Sequence, residues 1–125
     1  MPQTQPWTAA ELDQLYRVPL IRIVGARTDG TPRSLVLVGH VRLAQDELIR
    51  SLHETHGAWY QGAIRSGQGE IDVDGRRFAV AFIPDLGREA EVDQALRSRY
   101  GNDSGVRQMT RSPAREATLR VVPLA

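Results

Sequence analysis

The chain has no cysteine. Thiol nucleophiles, disulfides, iron–sulfur clusters and cysteine-bound zinc are therefore excluded. It has no lysine either, so all 16 basic residues are arginine. No Schiff base can form with pyridoxal phosphate or a carbonyl substrate, and there is no P-loop lysine. Arginine keeps its charge at any working pH, so it binds anions well and shuttles protons badly. Proton chemistry is left to His40, His53, His56, a carboxylate or a tyrosine. An excess of one charge is also missing. The formal net charge is +1, which gives no broad basic field for nucleic acid. No apolar run approaches the ~20 residues of a membrane span. Met1 to Pro6 lacks the basic start and apolar stretch of a signal peptide. The expected location is cytoplasmic, with neither membrane nor nucleic acid as partner.

What is present is an ordinary globular mixture. The 125 residues are 41% hydrophobic and 25% charged, enough for one core, and one domain over 1–125 is expected. Thr8 and Glu11 form a capping box, with Trp7 and Leu12 placed as a hydrophobic staple. Leu12, Leu15 and Tyr16 then share a helical face, and Pro19 ends the helix. Strands are predicted over Leu20 to Arg27, Ser34 to Leu43 and Glu47 to His53, with turns at Asp29-Gly30 and Gln45-Asp46. Ala58 to Arg65 reads as a short helix. Glu70 to Asp74 and Arg76 to Ile83 form a hairpin around Asp74-Gly75. Glu89 to Tyr100 is helical, Gly101 to Gly105 a mobile loop, Ser112-Pro113 a helix start and Thr118 to Val122 the last strand. Antiparallel strands with inserted helices predict an α+β fold whose sheet curls into a small barrel. Val36, Val38, Val80 and Phe82 exceed what one small core is expected to cover, which predicts a homodimer.

Several segments carry a family resemblance. They are Trp7-Thr8-x-x-Glu11-Leu12, Ile49-Arg50-Ser51, Gly57-Ala58-Trp59-Tyr60 and Gly67-x-Gly69-x-Ile71, then Val92-Asp93-x-Ala95 with Arg99-Tyr100-Gly101, Met109, and Ser112-Pro113 with Ala117 to Arg120. In this order, over nearly the whole chain, they resemble the bacterial family called domain of unknown function 2255. That family looks like the split β-barrels that bind flavin mononucleotide (FMN), among them pyridoxamine-phosphate-oxidase-like and deazaflavin-dependent nitroreductase-like proteins. The resemblance implies FMN or a deazaflavin as cofactor. The chain departs from the family where an aromatic is usual near Val38-Gly39-His40, where tyrosine is usual at Leu48 and Leu96, and where arginine is usual at Gln61. If those aromatics line a pocket, the pocket here is remodelled.

The candidate site residues lie mostly in one strand–loop–helix unit. Arg50 offers a forked donor, Ser51 a hydroxyl, and Gly57-Ala58 the free N–H groups of a helix start, a set that suits phosphate or carboxylate. The alternative is that Arg50 pairs with Glu47 or Asp93 and Ser51 caps a turn. Trp59 could stack on a planar ligand or belong to the core. His53 and His56 are one residue short of the zinc-protease spacing, so no metal is expected. His40, on a buried strand, is either a satisfied core histidine or a proton-transfer group in a barrel pocket. Three readings follow. In the first, implied by the resemblance, a flavin- or deazaflavin-dependent oxidoreductase-like protein holds the cofactor phosphate with Arg50, Ser51 and Arg33, with His53, Gly57 and Trp59 around it. The second is a cofactor-free isomerase or cyclase with His40 as base. The third is a small-molecule binding module without chemistry.

Overall fold

The computed structural model describes residues 3–24, 36–50, 58–110 and 114–125. Six antiparallel strands form a closed barrel in the order β1-β2-β3-β6-β5-β4. They are β1 (Leu20–Val24), β2 (Val36–Leu43), β3 (Asp46–Arg50), β4 (Gln68–Val73), β5 (Arg76–Pro84) and β6 (Thr118–Pro123). Closure leaves no unpaired edge, since β1 pairs with β2 on one side and with β4 on the other. Among the described residues four α-helices accompany the barrel: α1 (Ala9–Arg17), α2 (Ala58–Ser66), α3 (Glu89–Tyr100) and α4 (Ser104–Met109). A short 3-10 turn, Ala114–Ala117, leads into β6. The expected α+β barrel is the observed fold.

Strand alternation decides what lies inside. Ile21 and Ile23 of β1, Val38 of β2, Ile49 of β3, Ile71 and Val73 of β4, Phe78, Val80 and Phe82 of β5, and Leu119 and Val121 of β6 form one buried cluster. Trp7, Leu12 and Leu15 join it from the α1 end, and Tyr60 and Ala63 from α2. The capping box expected at α1 is present. Thr8 Oγ1 accepts from the Glu11 N–H at 3.1 Å, and Glu11 Oε1 accepts from the Thr8 N–H at 2.9 Å. A second, outer cluster of Val41, Leu48, Val92, Leu96 and Val106 lies beneath α3 and α4.

Three expectations change. Of the apolar residues behind the homodimer expectation, Val38, Val80 and Phe82 are 8%, 0% and 3% exposed, inside a single chain's barrel, and the side chain of Val36 lies outside the described set. Alternating residues of a closed barrel share one interior, so the strands supply the cover for one another. The expected Gly101 to Gly105 loop ends in a helix instead. Asp103 caps α4 by accepting from the Val106 N–H at 3.0 Å, and Val106 packs under α3. A cap residue hidden among turn formers reads as loop until its apolar partner is known. Tyr16, expected on the buried face of α1, is half-exposed, with the Arg99 guanidinium 3.9 Å above its ring.

The β4–β5 hairpin has the two-residue turn read from Asp74-Gly75, with Val73 opposite Arg76. Both turn residues have positive φ, 52° and 89°, as a type I′ turn requires. A Cβ on Gly75 would meet open space, so any penalty there is backbone strain alone. Gly75→Val is expected to cost on the order of 1 kcal/mol or more. Chemical denaturation of both proteins checks it, and equal midpoints would count against the turn.

Candidate functional site

Arg50 ends β3 on the face opposite Ile49, so its side chain leaves the barrel interior and enters the layer under α3 and α4. There it is 2% exposed. Nη1 donates to Asp93 Oδ1 at 2.5 Å and to the Met109 carbonyl at 2.8 Å. Nε donates to Thr118 Oγ1 at 2.8 Å, and Nη2 reaches the Glu89 carbonyl at 3.4 Å. One guanidinium thus ties β3 to both ends of the α3–α4 unit and to the start of β6. This is the structural alternative weighed for Arg50, with Asp93 as the partner. Such a network leaves the fork aimed at protein groups rather than at a ligand.

His40 lies on the interior face of β2, two residues after Val38, and is 0% exposed. Its Nδ1 is 2.9 Å from Glu47 Oε1 and its Nε2 is 2.8 Å from the Val18 carbonyl. Both ring nitrogens are therefore engaged. Glu47 is 1% exposed, and burial raises its carboxyl above the ordinary range, against the opposing pull of His40, Arg99 and Arg42. Arg99 and Tyr100 complete the cluster from α3. Arg99 donates to the Val18 and Tyr16 carbonyls, and the Tyr100 hydroxyl accepts from the His40 N–H at 2.9 Å. Glu47 and Tyr100 were not among the candidates read from the sequence. The signal for Glu47 is the tight β2–β3 hairpin, which places residues 40 and 47 diagonally on one face.

Of the other candidates, Arg33, Ser51, His53 and Gly57 lie outside the described residues. So do His56 and the Ser112-Pro113 helix start. Trp59 stands in the first turn of α2, and its side chain is outside the described set. Three surface grooves are present among the described residues. One of about 300 Å³ runs beside Val18, Leu20, Arg22 and Leu37. One of about 270 Å³ lies between Gln5, Trp7, Asp46 and Arg120. One of about 380 Å³ lies between α1 and the β4–β5 turn. Neither the Arg50 cluster nor the imidazole of His40 lines any of them. No helix among the described residues is long and apolar enough to cross a membrane.

The sequence profile of a family described as uncharacterized proteins conserved in bacteria, DUF2255, matches residues 11–121. The chain belongs to this family. No functionally curated protein matches it significantly. Solved structures do resemble it in fold. A conserved hypothetical protein of Mycobacterium tuberculosis superposes with a TM-score of 0.63 at 12% identity, over 100% of this chain and 85% of the other. An F420 reductase gives 0.58 at 13% identity, over 90% and 92%. HutZ, the heme storage protein of Vibrio cholerae, gives 0.61 at 7% identity, over 96% and 89%. At these identities the likeness is one of fold.

Leu48 and Leu96, two of the positions at which the resemblance implied a departure, are both buried in the outer cluster beneath α3.

Proposed function

We propose that this DUF2255 protein binds a phosphorylated, planar small molecule of the flavin or deazaflavin class and serves an oxidoreductase-like role. The supporting observation is that its barrel matches an F420 reductase over nine-tenths of both chains. A bound flavin or deazaflavin would supply the hydride chemistry.

The fit of the expected residues is uneven. Arg50 does not suit direct phosphate contact, because its donors are taken up by Asp93, Thr118 and two carbonyls. Its part is to hold the end of β3, from which the 51–57 segment departs. The first turn of α2, beginning at Ala58, suits a phosphate better through its backbone N–H groups. Ser51, His53, Gly57 and Arg33 are the residues proposed to complete that contact, with Trp59 against the ligand's plane. His40, buried and engaged at both nitrogens, is assigned no contact with the ligand. The grooves of about 270 to 380 Å³ are at the small end of ligand sites, which supports a second copy of the chain completing the pocket. Leu20 and Leu37, diagonal neighbours across the β1–β2 ladder and about half exposed on the outer barrel face, suit such a contact.

Fluorescence titration with FMN, riboflavin and a phosphorylated deazaflavin tests this. One phosphorylated ligand is expected to bind tightly, with riboflavin about tenfold or more weaker for want of the charge-assisted bonds. Sedimentation of the same samples is expected to show a dimer. Absence of binding by both phosphorylated ligands below millimolar concentration would sink the proposal.

A further inference from the structure

Three side chains, one from β2 and two from α3, converge on the short connection between α1 and β1. His40 Nε2 lies 2.8 Å from the Val18 carbonyl, to which Arg99 Nη2 also donates. The Tyr100 hydroxyl donates to the next carbonyl, that of Pro19, at 2.6 Å. A carbonyl only accepts, so Nε2 must carry a hydrogen. That settles the other side of the ring. Nδ1 faces Glu47 Oε1 at 2.9 Å, and a hydrogen has to lie between them. The pair can be imidazolium with carboxylate or imidazole with carboxylic acid. Both forms contain the same single proton and both sum to zero charge.

Loss of that proton has a different outcome. It leaves an Nδ1 lone pair facing a carboxylate, two acceptors in contact at a site where His40 is 0% and Glu47 1% exposed. Rotating the ring to relieve this would forfeit the bond to Val18. Among the described residues, the charged and titratable groups facing the pair are Arg99 and Tyr100 from α3 and Arg42 from β2, with Tyr16 of α1 behind Arg99. Arg99 Nη2 comes within 3.4 Å of Nε2, which disfavours a second proton on the pair. Val18 is also a wall of two grooves. One contains Leu20, Arg22 and Leu37, the other Glu11, Gln14 and Arg76.

We propose that the proton shared by His40 and Glu47 is a latch: while present it holds the α1–β1 connection against the barrel, and its loss in alkali frees Val18 and Pro19 and reshapes the two grooves they border. The sign follows from burial. A carboxyl raised by folding contributes stability in full below the ordinary carboxylate range and loses it as pH rises through the folded value. The latch therefore opens on the alkaline side.

The test uses the ligand-free full chain, so its outcome is separate from that of the cofactor titration. Amide hydrogen-exchange protection at Val18, Leu20 and His40 is measured at about pH 6 and about pH 9, corrected for intrinsic rates. Wild-type protection is expected to fall about tenfold, while Glu47→Gln is flat. A glutamine amide can donate to Nδ1 at either pH. Tyr100→Phe, which removes the bond to Pro19, is expected to lower protection equally at both. Should Glu47→Gln fail to fold, nitrogen resonances of the wild-type His40 ring decide. Nε2 is expected to stay protonated while Nδ1 loses its shared hydrogen in step with protection. Unchanged wild-type protection, the same fall in Glu47→Gln, or an unprotonated Nε2 would each overturn the latch.

Discussion

Arg50→Ala is expected to destabilise the protein by about 3–5 kcal/mol, the cost of stripping the partner from a buried charge. Asp93 is 6% exposed and would be left without its guanidinium. The Met109 and Glu89 carbonyls and the Thr118 hydroxyl would lose their donor in the same step. Deleting one residue therefore loosens four segments: β3, both ends of the α3–α4 unit and the start of β6. Arg50→Lys is expected to recover only part of the loss, because an ammonium can replace one bond to Asp93 but cannot span the fork. Urea unfolding of the three proteins in the absence of ligand measures this. The experiment also separates the two readings of Arg50. A stable Arg50→Ala protein with weakened phosphate affinity would return the residue to the ligand site and remove its structural role.

Trp7→Ala is expected to cost a similar amount, about 3–5 kcal/mol. The ring is 6% exposed and sits edge-on to Phe78, with centroids 5.3 Å apart at 77°. Its Nε1 donates to the Val121 carbonyl at 2.8 Å, a contact across 114 residues that ties the segment before α1 to the last strand. Trp7→Phe keeps most of the packing and loses that bond, so a loss of about 1 kcal/mol is expected from it. Thermal unfolding of both variants checks the pair of values. Equal losses would show that the hydrogen bond, not the buried ring, holds the N-terminal segment.

Local chemistry made much of this fold legible. Thr8 and Glu11 announced α1 through a capping box spanning three residues, and that box is formed, while Trp7 and Leu12, placed as a staple, both join the buried core. Asp74-Gly75 announced the hairpin because positive φ at both positions restricts the residue types that fit. The spacing of Val92, Leu96 and Tyr100 marked α3, and its Glu89–Tyr100 bounds are those expected. In each case the information lies within a few residues, where propensity, capping and side-chain period act.

What the sequence could not decide was which faces meet. Val38, Val80 and Phe82 look like surplus surface until β1 pairs with β4, and a closed barrel then has an inside that covers them. Arg50 looks equally suited to a phosphate or to a carboxylate, because its strand parity points away from the barrel only once Ile49 is known to point in. His40 looked like a candidate base. Whether it is reachable depends on Val18, 22 residues earlier, and on Arg99, 59 residues later. A side chain's type is written in the sequence, so its possible chemistry could be read there: a fork of donors, a ring that titrates, a carboxyl that dislikes burial. Its partners are set by long-range closure of the sheet and by the α3–α4 cover, and those partners decided that Arg50 clamps and that His40 shares its proton with Glu47.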